Sequence, residues 1–267
     1  MILNLAAPGR AREQMMNTEQ KLPGKRVWIT GASSGIGEAT ARLLASHGAE
    51  LVISARRVEK LEALAAELQA LGAAVTVAPV DVADRAAMAA VGEQLVALGG
   101  VDILINNAGT MPISPIINGR VDEWDRMIDV NIKGVLYAIH AVYSGMAERK
   151  AGHIVNISSI AARQTYQSAG VYGGTKHAVR AISDTLRKEA IRFNVRVTDI
   201  QPGSVATELP DSIGHDKIRS AVKDNMYAED SPILQPQDIA NGILYALSQP
   251  DYVDVSELLI RPVIQEN

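Results

Sequence analysis

Tyr172-Gly173-Gly174-Thr175-Lys176 sets a weak acid and a cation four positions apart. On a helix such positions lie one turn apart on one face. A lysine ammonium placed there favours the phenolate and draws a tyrosine pKa down from about 10 towards working pH. Taken alone, the pair is also what an ordinary helix surface contains. The two glycines between them each cost about 1 kcal/mol relative to alanine in a helix. They leave a bare surface that another backbone or a flat ligand can approach. Ser159 stands thirteen residues upstream, directly after an apolar, strand-like run.

A second candidate for chemistry is Gly31-Ala32-Ser33-Ser34-Gly35-Ile36-Gly37. An apolar run precedes it and a helical composition follows, so a glycine-rich loop joins a strand to a helix. Glycines permit the tight turn and let backbone N–H groups approach a phosphate, and the helix N-terminus adds partial positive charge. The spacing is G-x-x-x-G-x-G rather than G-x-G-x-x-G, and in strand–loop–helix context it predicts dinucleotide binding. At the end of the next strand, where folds that select NAD place an acid for the ribose 2′-hydroxyl, the chain has Ser54-Ala55-Arg56-Arg57. Arginine offers a planar, permanently charged fork suited to phosphate. Arg56, with Ser33 from the loop, therefore predicts a 2′-phosphate and NADP rather than NAD. The alternative is an arginine pair that is solvated or matched to Glu59 or Glu62.

The elements that must position these residues alternate regularly. Strands are predicted at 26–30, 50–54, 74–80, 101–105, 153–157, 195–200 and 257–260. Helices are predicted at 38–47, 58–71, 85–98, 121–150 with an interruption near Asn131, 172–192 and 236–247. Alternating strands and helices predict an α/β fold: one doubly wound, Rossmann-type parallel sheet of about seven strands with helices on both faces. In such sheets ligands bind at the carboxyl ends of the strands. Gly31, Arg56, Asp81, Asn107, Ser159 and Gly203 each follow a predicted strand, so all six should face one crevice. Residues 23–267 read as this domain and residues 1–22 as a mobile tail, too short at 1–5 for a signal-peptide core. Met15 or Met16 is an alternative start.

The totals exclude other classes. The chain has 267 residues, 47% of them hydrophobic, room for one large core. Its net charge of −4 leaves no basic footprint for nucleic acid. With no cysteine and five scattered histidines, neither disulfides nor a metal site is expected. No apolar run reaches the roughly 18 residues that span a membrane, and a cytoplasmic location is expected.

Together these residues resemble the short-chain dehydrogenase/reductase family. The matching elements are Thr30 through Gly37, Asn106-Asn107-Ala108-Gly109, Asn131, Ser159, Tyr172-x-x-x-Lys176 and Pro202-Gly203, in the family's order and spacing across residues 25–262. Ser54 through Arg57 and Leu258-Leu259-Ile260-Arg261-Pro262 resemble a narrower branch of NADP-dependent 3-hydroxy acid (serine-type) dehydrogenases and clavulanate-type aldehyde reductases.

The resemblance implies roles position by position. Tyr172 is the general acid of carbonyl reduction and the general base of alcohol oxidation. Ser159 donates a hydrogen bond to the substrate oxygen. Lys176 lowers the tyrosine pKa and contacts the nicotinamide ribose, and Asn131 holds a water that relays protons from Lys176. Gly31, Ser33, Ser34, Gly35, Ile36 and Gly37 hold the pyrophosphate. Asp81 and Val82 flank the adenine, Asn107 meets the adenosine-side ribose, and Val205 and Thr207, after Pro202-Gly203, contact the nicotinamide carboxamide; Gly109, Pro202 and Gly203 are also cofactor-binding. The implied activity interconverts a hydroxyl and a carbonyl on a small secondary alcohol or 3-hydroxy acid. A non-catalytic NADP-binding redox sensor would carry a broken Ser–Tyr–Lys set, and here the set is intact. Epimerases and dehydratases of this fold carry a larger C-terminal substrate domain, for which the chain leaves no room.

Residues 204–230 contain few strong elements and read as a substrate lid. Leu209, Met226, Met111, Ile160 and Gln164 are expected to line the pocket, and Arg163 is a candidate for a substrate carboxylate or a purely structural cation. Val135, Leu136, Ile139 and Val142, then Val179, Ile182 and Leu186, put apolar residues on more than one helix face. That surplus and the resemblance predict a homotetramer.

Overall fold

The structure is a computed structural model that describes residues 21–226 and 232–265. Strand β1 (Arg26–Thr30) leads through the glycine loop into helix α1 (Gly35–Ser46). There follow β2 (Glu50–Ser54), α2 (Val58–Ala70), β3 (Val75–Val77), α3 (Arg85–Ala97) and β4 (Ile103–Asn106). Helices α4 (Val121–Ile128) and α5 (Gly134–Arg149) precede β5 (Gly152–Ile157), and α6 (Gly170–Ala190) precedes β6 (Val195–Pro202). Helices α7 (Asp216–Met226) and α8 (Pro236–Leu247) and strand β7 (Glu257–Ile260) complete the order.

The strands form one sheet in the order β3-β2-β1-β4-β5-β6-β7, and every neighbouring pair is parallel. The chain winds outward from β1 to β3, returns to place β4 beside β1, and winds outward again. The switch point therefore lies between β1 and β4, the expected place for a ligand crevice.

Parallel strands buried on both faces read as continuous apolar runs because successive side chains point to opposite sides. Val27 and Ile29 of β1 enter one core with Leu44, Leu61, Leu64 and Ile243, from helices α1, α2 and α8. Trp28, between them, enters the other core with Met88, Leu95, Val142 and Leu186, from α3, α5 and α6. The indole Nε1 of Trp28 donates to Ser54 Oγ at 2.9 Å, so the largest core side chain is also polar-satisfied.

Three expectations change. Leu22, read as part of the tail, is 4% exposed in the first core, and its amide donates to the His47 carbonyl at 3.0 Å; residues 1–20 lie outside the described residues. Of the 204–230 segment, residues 204–226 are more regular than their polarity predicts, with a short 3-10 turn at Leu209–Ser212 and helix α7; residues 227–230 lie outside the described residues. The apolar residues read as surplus on α5 and α6 are mostly filled by the protein's own core. Val135, Ile139, Val142, Val179 and Leu186 are buried, and among these helix residues Leu136 is 42% exposed.

Candidate active site

The glycine loop leaves β1 through Gly31, at φ +69°, and enters α1 through Gly35, at φ +57°. Both conformations lie in the left-handed region that side chains avoid. Gly37 is required for a different reason. A Cβ there would lie 2.4 Å from the Gly31 carbonyl oxygen and 2.5 Å from Asn107 Nδ2. The loop is thus packed against the end of β4. Asn107 Nδ2 donates to the Thr30 and Gly31 carbonyls, each at 3.0 Å, and Thr30 Oγ1 accepts from the Asn107 amide at 3.1 Å. The side-chain amide of Asn107 therefore fastens the loop across the switch point.

Above this junction runs a crevice of about 860 Å³ along the carboxyl ends of the strands. It is lined by Gly31, Arg56, Asp81, Asn107, Ser159 and Gly203, the six strand-end residues expected to meet there. Ser33, Ser34, Gly35, Ile36, Val82, Gly109, Tyr172, Lys176, Pro202, Val205 and Thr207 line it too. Gly37 and Asn131 do not. Gly37 sits beneath the loop, and Asn131 is buried behind the wall.

Asn131 lies in a π-helical turn, Asp129–Lys133, between α4 and α5. This is the interruption expected in the long helical stretch, and such turns are frequent at functional sites. Its Oδ1 accepts from the Thr110 amide at 2.9 Å, and its Nδ2 donates to the Thr110 carbonyl and to Thr175 Oγ1, both at 3.0 Å. Thr175 Oγ1 in turn donates to the Tyr172 carbonyl at 2.7 Å. The Asn131 side chain thus ties helix α6 to the loop after β4, and its amide is engaged by protein groups.

On α6, Tyr172 and Lys176 are both 7% exposed, with Lys176 Nζ 5.8 Å from the centre of the tyrosine ring. Lys176 Nζ donates to the Ile157 carbonyl at the end of β5 at 2.9 Å. Burial pulls the Lys176 pKa down to about 8, with the Asp199 carboxylate acting in the other direction. Ser159 is held by the turn Ile160–Ala162, where its Oγ accepts from the Ala161 amide at 3.1 Å. Gly173 packs against that turn, since a Cβ would lie 3.6 Å from the Ala161 carbonyl oxygen. Gly174 meets nothing within 4 Å, so only the first of the two glycines serves a close approach.

At the end of β2, Arg57 rather than Arg56 engages the glycine loop. Arg57 Nη2 donates to Ser33 Oγ at 3.0 Å and to Ser34 Oγ at 2.6 Å, and its Nη1 donates to Glu208 at 2.6 Å. Arg56 lines the crevice beside Asp81. Burial opposes ionisation of Asp81, but the Ala83 amide and Arg126 hold its carboxyl below the usual range; Arg126 Nη2 lies 2.8 Å away.

Among the expected substrate-side residues, Met111, Ile160 and Leu209 line the crevice, as does Tyr166, which the sequence reading missed. Gln164 does not; its amide meets the Tyr166 hydroxyl instead. The Met226 side chain lies outside the described residues. Arg163 is not among the residues that line the crevice. Its guanidinium donates to Gln201 and Glu257, and Arg180 shares Glu257 at 2.8 Å. A substrate carboxylate would have to displace Glu257 to reach Arg163.

Among the described residues no cluster of His, Asp or Glu could hold a metal ion, and no helix is long and apolar enough to cross a membrane.

An uncharacterized oxidoreductase of Staphylococcus saprophyticus is 43% identical over 245 residues, 90% of this chain and 97% of that protein. The closed form of a serine dehydrogenase, solved with NADP+, is similar at TM-score 0.83 and 36% identity, covering 91% of this chain and 96% of the other. An alcohol dehydrogenase from the archaeon Thermococcus sibiricus, solved with 5-hydroxy-NADP, gives TM-score 0.80 at 30% identity, covering 91% and 98%. With a parallel seven-stranded sheet, a glycine loop at its switch point, and the short chain dehydrogenase profile matching residues 25–218, the chain belongs to the short-chain dehydrogenase family of oxidoreductases.

Proposed function

We propose that the protein is an NADP(H)-dependent dehydrogenase/reductase that interconverts a hydroxyl and a carbonyl on a small secondary alcohol or 3-hydroxy acid. The observation that carries this reading is the meeting of Ser159, Tyr172 and Lys176 in the crevice that also holds the glycine loop. The residues present fit a dinucleotide. Gly31 and Gly35 supply left-handed turns, Gly37 allows the backbone to close on itself, and α1 directs its N-terminus at the loop. Arg56 and Arg57 supply the charge a 2′-phosphate requires. The NADP complexes of the serine and alcohol dehydrogenases support the same choice.

When bound, the nicotinamide supplies or accepts the hydride, and the protein supplies orientation and proton transfer. Tyr172 gives its hydroxyl proton to the substrate oxygen in reduction and takes it back in oxidation. Ser159 donates a hydrogen bond to the same oxygen as charge develops there. Lys176, anchored by the Ile157 carbonyl, is held beside the tyrosine ring, where its charge favours the phenolate. Asn131 acts on this pair through Thr175 and the Thr110 backbone. Thr110 and Met111 from the loop after β4, with the segment from Val205 to Ser212, shape the substrate side, and residues 204–230 act as the lid.

We place the active form as a homotetramer. Support comes from β7 at the sheet edge and the exposed apolar residues beside it, Tyr252, Val263 and Ile264. A monomer by light scattering contradicts this.

The test is cofactor reduction across 3-hydroxy acids, including serine, and neutral secondary alcohols, with NADP+ and NAD+. Turnover of the acids with NADP+ well ahead of NAD+ supports the full reading. Turnover of neutral alcohols alone removes the acid substrates and keeps the oxidoreductase. Equal rates with the two cofactors remove the 2′-phosphate assignment.

A further inference from the structure

Arg57 holds more than the glycine loop. Its Nε and Nη2 donate to Ser33 Oγ at 3.1 and 3.0 Å, and Nη2 also reaches Ser34 Oγ. The remaining arm, Nη1, is 2.6 Å from Glu208 Oε2, and Lys60 Nζ is 2.8 Å from Glu208 Oε1. Two cations therefore close on one carboxylate, beside two serine hydroxyls, in the crevice corner where β2 ends. That donor set is the one a phosphate monoester would use. Glu208 comes from the far side of the crevice, 151 residues away in sequence, and lies next to Thr207, which packs against the loop at Gly35.

We propose that Glu208 is an internal anion seated in the position of the cofactor's 2′-phosphate, and that it sets how strongly the protein prefers the phosphorylated dinucleotide. The inference rests on the NADP reading above. Two cations facing a single carboxylate leave one positive charge unmatched, and Arg56 stands beside them. A phosphate dianion suits that excess better than a carboxylate does. The exchange is easy because Arg57, Lys60 and Glu208 are 44–48% exposed, and exposed ion pairs are weak. Lys60 and Arg57 draw the Glu208 carboxyl down to about 2, so the internal anion stays charged at any working pH.

A cofactor without the 2′-phosphate leaves Glu208 in place and gains nothing from the seat. A cofactor with it displaces Glu208. That moves the chain just before Leu209–Ser212, whose Leu209, Asp211 and Ser212 border the substrate side of the crevice. Ser212 Oγ accepts from the Met111 amide at 3.0 Å, so the two walls are already joined there. Occupation of the phosphate seat is in this way linked to the segment over the substrate.

The experiment is calorimetric titration of NADP+ and NAD+ into the wild type, Glu208→Gln, Arg57→Gln and the double variant, with thermal unfolding to check that each folds. Glu208→Gln is expected to tighten NADP+ by about fivefold, the size of an exposed ion pair of about 1 kcal/mol, and to leave NAD+ within about twofold. In the Arg57→Gln background, where Lys60 still holds Glu208, the same change is expected to tighten NADP+ clearly less. Weaker or unchanged NADP+ binding in Glu208→Gln, or equal tightening of both cofactors, overturns the inference. So does a gain that is undiminished without Arg57. The wild-type ratio of the two affinities tests the NADP reading separately, since the inference concerns how that ratio changes.

Discussion

Two buried bases sit at opposite ends of the same part of the sheet. Lys176 lies over the carboxyl end of β5, held by the Ile157 carbonyl. His153 lies at the amino end of β5, 1% exposed, with its Nε2 2.8 Å from Thr198 Oγ1. Burial lowers both pKa values, Lys176 to about 8 and His153 to about 3. Yet of the two, Lys176 alone lines the crevice. It does so together with Tyr172 and Ser159, whereas the residues around His153 close over it. A perturbed pKa therefore marks burial, and the open end of the sheet decides which perturbed group meets a ligand.

The largest expected effect separates the two ends by activity. Lys176→Met should lower turnover at least about 100-fold, the scale of lost acid–base assistance, whereas His153→Gln should keep both turnover and cofactor affinity. Comparable losses in steady-state assays of the two variants would break the comparison.

Next comes stability against pH, where both groups act with the same sign. Between about 8 and 10.5 the unfolded chain keeps a proton on Lys176 that the fold releases, so stability rises with pH across that window. Relative to Lys176→Met, the wild type should gain about 3 kcal/mol over it in denaturant titrations. Likewise the unfolded chain binds a proton on His153 between about 6.5 and 3 that the fold refuses, and stability falls as pH drops through that range. His153→Gln should therefore lose less stability than the wild type on going from pH 7 to pH 5, by about 2 kcal/mol. Parallel pH profiles for variant and wild type would show that burial is not the cause.

The smallest effect sharpens the reading of the Tyr172 helix. Gly174 faces open space, so Gly174→Ala should stabilise by up to about 1 kcal/mol and leave turnover unchanged. Gly37→Ala, by contrast, must push the Gly31 carbonyl aside and should weaken NADP+ binding.

Much of this was legible in the sequence because it depends on local pattern. Helix α8 and strand β7 have the predicted bounds, the first announced by Pro236 and closed at Leu247. The interruption at Asn131 was readable as well. Strand β3 is shorter than the apolar alternation from Ala74 to Val80 implies: the regular ladder with β2 covers Val75–Val77, and beyond it single backbone bonds continue from the Ala78 and Val80 amides to the Ile53 and Ala55 carbonyls. Helix α7 was missed because its residues are mostly charged or polar, and among its described side chains only Ile218 and Val222 reach the small core beneath it. The choice between Arg56 and Arg57 was not legible. Both follow the end of a strand, where the two-residue alternation no longer fixes direction, and the partner that orients Arg57 is 151 residues away. The two readings of Arg163 could not be separated from the sequence for a similar reason: Gln201 and Glu257 arrive from β6 and β7.

The most direct test of the site is Tyr172→Phe, assayed for NADP+ affinity and for turnover of the best substrate from the panel. Removing one hydroxyl should leave NADP+ affinity within about twofold and lower turnover by about 100-fold or more, because only proton transfer at the substrate oxygen is lost. Turnover close to that of the wild type, with NADP+ bound, would contradict the assignment of Tyr172 as the group that exchanges the proton.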